Sequence, residues 1–333
     1  MSEIRAKIDS LLQPVAADMD LMRGALEEAI RDDSPAVADM VGHVGSFHGK
    51  QLRAALVLLV ARASGRAGEE HPRLAAIVEL IHLATLVHDD VLDGAEKRRR
   101  VACVNSRWDN QTAILLGDFL YSRAFGLSTE LASRLPSRLL AKTTSRLCAG
   151  EIEQAAQRYN FEQGQIGYER IAAAKTGSLY SAACELGARY DGEDRFGADD
   201  ELGRSMAAFG EELGLAFQII DDVLDLTGTE AEVGKSVGND VEDGKVTLAV
   251  LKTYSSANDD TRARIRDVYT MPDLEDRVAR LREVCDLGPG LDYARARASA
   301  LLTSAQGRLS ALGASPARDA LETLMTFLQE RRF

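Results

Sequence analysis

The chain has 333 residues, 45% of them hydrophobic and 28% charged, with 52 Asp and Glu against 40 Lys and Arg. That composition belongs to a folded globular protein with a sizeable core and excludes a disordered chain. The formal net charge of −12 excludes nucleic-acid binding as the main task, because a phosphate backbone demands a positive surface.

The first residues, MSEIRAKIDS, are polar and mixed in charge, so no signal peptide is expected there. Ser34-Pro35 pairs an N-cap residue with a proline at the first helical position. The longest apolar stretch, Ala54 to Ala61, stops at Arg62 and is too short to span a bilayer. A cytoplasmic location follows as the expectation. Pro72 precedes a run over residues 73–92 in which Leu74, Ile77, Val78, Ile81, Ala84, Thr85 and Val91 recur at helical steps. Pro136 opens another periodic run, and Leu202, Met206, Phe209, Leu213, Phe217 and Ile220 mark a long helix within 198–226. Ser315-Pro316 repeats the start signal near the end of the chain.

No alternating run bounded by hairpin turns is visible, so the reading is all-α, roughly a dozen helices and little else. Gly- and Asp-rich breaks fall near 64–70, 191–200, 227–244 and 286–290. None is long or biased enough to be an interdomain linker, and residues 1–333 are read as a single domain. Cys103, Cys148, Cys184 and Cys285 have no metal-site spacing and read as ordinary thiols of a reducing compartment.

One pentapeptide, Asp-Asp-Val-Leu-Asp, occurs at 89–93 and again at 221–225, each time closing an apolar helix. Residues four apart share a helix face, so Asp89 points with Asp93 and Asp221 with Asp225. Asp90 and Asp222 sit one step round, either supporting the site or holding metal-bound water. Like charges at that spacing repel. The negative end of the helix macrodipole disfavours each cluster by a further 0.3–1 kcal/mol, roughly. A solvated helix end would account for one such cluster. Two identical copies, each directly after apolar helix, point to a hard cation, and Mg2+ beside substrate phosphates fits carboxylates of this kind.

Positive groups accompany the clusters. Arg98, Arg99 and Arg100 follow Asp93 closely and suit a guanidinium grip on phosphate. Lys50 and Arg53 in HGKQLR, Lys175-Thr176 in KTGSLY, and Lys235 and Lys245 in a Gly-rich segment are further candidates. That segment reads as a mobile lid. His82 lies two turns before Asp89, on its face of the helix, where an imidazole can donate to a phosphate.

Together HDDVLDGAEKRRR, GDFLYSRAF, KTGSL, QIIDDVLD and VGNDVEDGKVTL, in this order, resemble the trans-prenyl diphosphate synthases, over about Lys50 to Leu248 and more loosely beyond. The resemblance implies an all-α fold of antiparallel helices around a deep central cavity, and a homodimer. It implies that Asp89, Asp93 and Asp221 coordinate Mg2+, with Asp90, Asp222 and Asp225 assisting directly or through water. It assigns Arg98, Lys175, Thr176, Gln218 and Lys235 to an allylic diphosphate primer, and Lys50, Arg53, His82 and Arg99 to isopentenyl diphosphate. HGKQLRA stands where GGKRLRP is common, Arg100 replaces a glycine, and VACVN stands where PSVN is typical.

The implied reaction is head-to-tail condensation. The residues one turn before Asp89 are Ala84 and Thr85, a level at which short-product relatives often carry an aromatic ring, and the next turn back offers Leu80 and Ile81. An unblocked level there predicts a long-chain product of about seven to ten units, by fold-level analogy. A farnesyl or geranylgeranyl diphosphate synthase, a terpene cyclase and a catalytically silent partner subunit are the competing readings. A di-iron bundle is disfavoured, because Glu79 and His82 form a single Glu-x-x-His element where such sites want two.

Overall fold

Prolines and polar caps begin the helices where the start signals stand. The computed structural model describes residues 10–45, 49–98, 101–228, 237–272 and 274–330. In chain order the helices are α1 (Ala16–Ile30), α2 (Pro35–Gly45), α3 (Leu52–Ala63) and α4 (His71–Leu92). A two-stranded antiparallel hairpin, β1 (Lys97–Arg98) and β2 (Val101–Ala102), then pairs Lys97 with Ala102 and Arg98 with Val101. It is followed by α5 (Val104–Arg107), α6 (Asn110–Thr129), α7 (Leu135–Ala156) and α8 (Gly164–Ala172). A π-helical turn over Ala173–Gly177 leads into α9 (Ser178–Arg189), and α10 spans Glu201–Thr227. The remainder is α11 (Asn239–Glu242), α12 (Leu248–Ser256), α13 (Asp259–Thr270), α14 (Arg277–Val284), α15 (Gly288–Arg308) and α16 (Pro316–Glu330).

The fold is all-α, as the periodicity implies. The hairpin escapes that reading because two residues per strand are too few to show alternation. The break near 286–290 is also shorter than expected, since α15 already starts at Gly288. Among the described residues, no helix is long and apolar enough to cross a membrane.

The chain forms two compact units. One comprises Met1–Thr143, Leu179–Gly210 and Gln306–Phe327; the other comprises Thr144–Ser178, Glu211–Ala305 and Leu328–Phe333. In the first, α4 packs against α1, α3 and α6. Helix α3 is apolar all round and accordingly enclosed, with every residue from Ala54 to Ala61 at most 1% exposed. Each buried Leu there contributes about 1.5–3 kcal/mol of transfer free energy. This packing carries the C-terminal end of α4, with Asp89 and Asp93, to the surface of the unit.

In the second unit α12 lies against α8, and α14 against α13. The Asn258 side chain caps α13 by accepting from the Thr261 amide at 2.9 Å. Asn258→Ala leaves that amide unsatisfied and is expected to cost about 0.5–2 kcal/mol, read as a lowered denaturation midpoint.

Candidate active site

In the first unit, the two aspartates that begin the first cluster are treated differently. Asp90 is 1% exposed, and its Oδ1 accepts from both Nε (2.9 Å) and Nη2 (2.7 Å) of Arg98. The main chain beside it is tied down as well, because Asn105 Nδ2 donates to the carbonyls of Asp90 (3.2 Å) and Ala95 (3.0 Å). Asp90 therefore anchors the hairpin and aims Arg98. Burial disfavours the charge on Arg98, yet its bond to Asp90 and that carboxylate's charge leave its pKa raised. The neighbouring Cys103 thiol is pushed up to about 12, by burial first and by Asp90 second. Asp89 and Asp93, by contrast, keep access to solvent. Arg99 and Arg100 lie outside the described residues.

Arg53 and His82 meet in the same unit. Arg53 Nη1 lies 2.9 Å from His82 Nε2. A guanidinium only donates, so that ring nitrogen accepts and the imidazole is neutral there, leaving Nδ1 as its donor. The expected donation from His82 to a phosphate is thus limited to one nitrogen. The Arg53 guanidinium also sits 4.5 Å above the Tyr180 ring, and Lys50 Nζ 5.7 Å above that of Phe327. Arg53 Nε is buried with no hydrogen-bond partner among the described residues. A buried orphan donor of this kind is what an anionic ligand would satisfy.

The four expected ruler positions are all packed. Ala84, Leu80 and Ile81 are 0% exposed and Thr85 8%, with Thr85 Oγ1 donating to the His82 carbonyl at 2.7 Å. The accessible side of α4 runs instead through Glu79, His82, Leu83, Leu86 and Asp89. The four positions thus lie on the enclosed side of α4.

In the second unit, Asp222 is 7% exposed and fully engaged. Its Oδ2 accepts from the Tyr168 hydroxyl at 2.6 Å and its Oδ1 from Gln218 Nε2 at 2.7 Å. Gln218 Oε1 in turn accepts from Thr176 Oγ1 at 2.7 Å. Burial pushes the Asp222 carboxyl up to about 6; the charges of Asp221 and Asp225 add to the rise, and the bonds from Tyr168 and Gln218 oppose it.

Asp225, expected among the metal ligands, is 3% exposed; its Oδ2 accepts from the Asp240 amide and its carbonyl from the Gly238 amide, both at 3.0 Å. Its placement suits an anchor for the segment that leads to Lys245. Asp221 is the member of this cluster that keeps solvent access.

The cations of this unit lie nearby. Lys175 and Thr176 stand in the π-helical turn, a local widening that recurs at functional sites. Lys175 Nζ pairs with Glu151 at 2.7 Å and also donates to Gln154. Lys245 pairs with Asp243 at 3.0 Å and follows Gly244, whose φ of +73° a side chain would strain. A cavity is lined by Tyr168, Lys175, Gln218, Asp222, Asp240 and Lys245, among others. Two polar atoms of its lining residues, Gln163 Oε1 and Thr247 Oγ1, are buried without a hydrogen-bond partner among the described residues. Lys235 lies outside the described residues.

Among the described residues, no three His, Cys, Asp or Glu side chains form a closed metal cage. The accessible carboxylates are those of Asp89 and Asp93 in the first unit and of Asp221 in the second, and each suits Mg2+, which takes one or two carboxylates and fills its shell with water and phosphate oxygens. Sequence reasoning misses Tyr168, Tyr180, Phe327 and the Glu151-Gln154 pair; of these only Tyr180 adjoins a motif, closing KTGSLY.

The polyprenyl synthetase family profile matches residues 34–286. The chain is 32% identical over 323 residues to the heptaprenyl diphosphate synthase component 2 of Bacillus subtilis (strain 168), covering 95% of this chain and 88% of that one. It also resembles the crystal structure of a decaprenyl diphosphate synthase from Rhodobacter capsulatus, at a TM-score of 0.90 and 32% identity over 97% and 99% of the two chains. A polyprenyl synthase from Caulobacter crescentus CB15, complexed with calcium and isoprenyl diphosphate, gives a TM-score of 0.90 at 31% identity over 98% of each chain. With matched motifs, fold and near-complete coverage, the chain belongs to the polyprenyl synthetase family.

Proposed function

We propose that this chain is a prenyltransferase that condenses isopentenyl diphosphate onto an allylic diphosphate primer, giving a long-chain all-trans polyprenyl diphosphate. The observation that carries the reading is the part-buried chain from Thr176 through Gln218 to Asp222, of which Gln218 and Asp222 line one polar cavity together with Lys175 and Lys245. Lys175, Lys245 and Arg98 hold the primer's diphosphate, and Gln218, steadied by Thr176, orients it. Lys50, Arg53 and His82 hold isopentenyl diphosphate. Asp89, Asp93 and Asp221 are the carboxylates that would hold Mg2+, and the ion would supply charge neutralisation for the departing diphosphate.

The allylic C–O bond breaks with its electron pair leaving on diphosphate. The double bond of isopentenyl diphosphate, held in line, forms the new C–C bond, and the proton then lost goes to the released diphosphate. No protein base is required, and the product is allylic again. Two of the named relatives are a heptaprenyl diphosphate synthase component and a decaprenyl diphosphate synthase, which supports a long product here. In this reading the whole chain acts as a single catalytic domain, as a cytoplasmic homodimer. The relative named component 2 favours a second reading, in which a different chain completes the active enzyme.

Incubation with Mg2+, isopentenyl diphosphate and geranyl, farnesyl or geranylgeranyl diphosphate, with products resolved by chromatography, tests the proposal. Elongated prenyl diphosphates are expected. Hydrocarbon from the primer alone would mark a cyclase, and no turnover would favour the partner-dependent reading. Ala84→Phe is expected to shorten the product, and because Ala84 is fully buried it also costs about 1–3 kcal/mol of stability through overpacking. An unchanged product length would rule out Ala84 as part of the ruler.

A further inference from the structure

Tyr168 lies on α8 and belongs to none of the recognised motifs, yet its hydroxyl reaches Asp222 at 2.6 Å and it is only 8% exposed. A buried phenol that has found a carboxylate is fixed in both position and donor sense. The second carboxylate oxygen takes Gln218 Nε2, so the Gln218 amide must turn its Oε1 the other way. That oxygen only accepts, so Thr176 must spend its hydroxyl proton on it. A carboxylate at one end thus dictates the direction of every bond up to Thr176, and Thr176 shows only lone pairs beyond the chain. Bonds in such chains polarise one another.

We infer that Tyr168 is a positioning residue, holding Asp222 so that the Gln218 amide, gripped between Asp222 and the Thr176 hydroxyl, keeps its second Nε2 hydrogen for the diphosphate of the allylic substrate. The inference rests on the reading of this site as the primer site. Tyr168 itself lines the same cavity but acts through Asp222. Without its hydroxyl, Asp222 keeps a single side-chain donor, Gln218; the direction of the bonds is unchanged, but the carboxylate and the amide it grips are free to shift from the primer. The loss falls on binding of the primer more than on the integrity of the fold, because the phenylalanine ring can stay in place.

The test is a double-mutant cycle on Tyr168→Phe and Thr176→Val, the two ends of the chain. Farnesyl diphosphate with Mg2+ is the probe, with Kd from calorimetry and KM and kcat from steady-state turnover. Each single change is expected to weaken farnesyl diphosphate by about 10–100-fold, the usual cost of removing a supporting partner. The double variant is expected to be no more than about threefold worse than the poorer single one, because both break the same chain. Multiplying effects, or a Tyr168→Phe variant that binds like the parent, would overturn the inference. If Tyr168→Phe does not fold, the same cycle is run with Asp222→Asn in its place, where multiplying losses again refute a shared chain.

The parent protein separates the two claims. Binding of farnesyl diphosphate without elongation refutes the synthase reading while the cycle on Kd still decides the role of Tyr168. No binding at all refutes both.

Discussion

Asp221→Asn is expected to lower kcat/KM by about 10²–10³ or more, while Asp222→Asn, one residue further on, costs about 10–100-fold. The first figure is what loss of one preorganised charge-stabilising group removes from a transition state, the second what loss of a metal-site supporting partner removes. The division follows from placement. Asp221 keeps solvent access, as do Asp89 and Asp93, and Asp222 is 7% exposed with both oxygens bonded. A titration of activity against Mg2+ separates them: Asp221→Asn shifts the metal requirement upward, and Asp222→Asn chiefly raises KM for the primer.

Stability provides a second readout with a defined sign. The Asp222 carboxyl rises from 3.8 to about 6 on folding, mainly through burial. The folded state therefore holds this proton more tightly. The group's contribution is fully present below about 3.8 and is lost as pH rises through about 6. In metal-free protein this loss amounts to about 2–3 kcal/mol. Asp222→Asn removes the pH dependence between those values and, at pH 7, unfolds no more easily than the parent. Should Asp222→Asn abolish turnover as completely as Asp221→Asn, the distinction between accessible ligands and buried anchors is wrong.

That distinction is not readable from the pentapeptide. Spacing places both clusters near the C-terminal ends of α4 and α10, and the helix starts at Pro35 and Pro316 are where capping logic puts them. Within an Asp-Asp pair, however, helical geometry separates the two side chains by one step and leaves open which turns inward. The answer lies in Arg98 and Tyr168, supplied by a hairpin eight residues on and by a helix 54 residues back. Asp225 looks like a twin of Asp93 because each closes the same pentapeptide; the Asp240 amide makes it different. The π-helical turn at Ala173–Gly177 is five residues set between two helices, too short for any period to betray it. Arg53 shows the same limit, since its aromatic neighbour Tyr180 and its partner His82 come from distant stretches of chain.

Gly150→Ala is the substitution expected to disturb the primer half-site most without touching any charged group. A Cβ added at Gly150 would lie 2.7 Å from Ala174 Cβ and 3.1 Å from the Lys175 amide nitrogen. Real side chains do not approach that closely, so α7 and the π-helical turn must separate. The nearest obstacles are a methyl group on a helix and a main-chain nitrogen, neither of which can swing aside. Overpacking of this kind costs about 1–3 kcal/mol. The displaced residues include Lys175, whose ammonium is aimed by Glu151 and Gln154 from the very turn of α7 that carries Gly150.

Both stability and affinity for the primer should therefore fall, with KM raised by about tenfold or more if the shift costs the Lys175 contact some 1.4 kcal/mol. Gly126→Ala is the control. Gly126 lies inside α6, and nothing stands within 4 Å of the place an added methyl group would take. Alanine there should stabilise the protein by about 0.5–1 kcal/mol and leave KM unchanged. If the two variants behave alike in denaturation and in KM, the close approach of α7 to the π-helical turn does not set the position of Lys175.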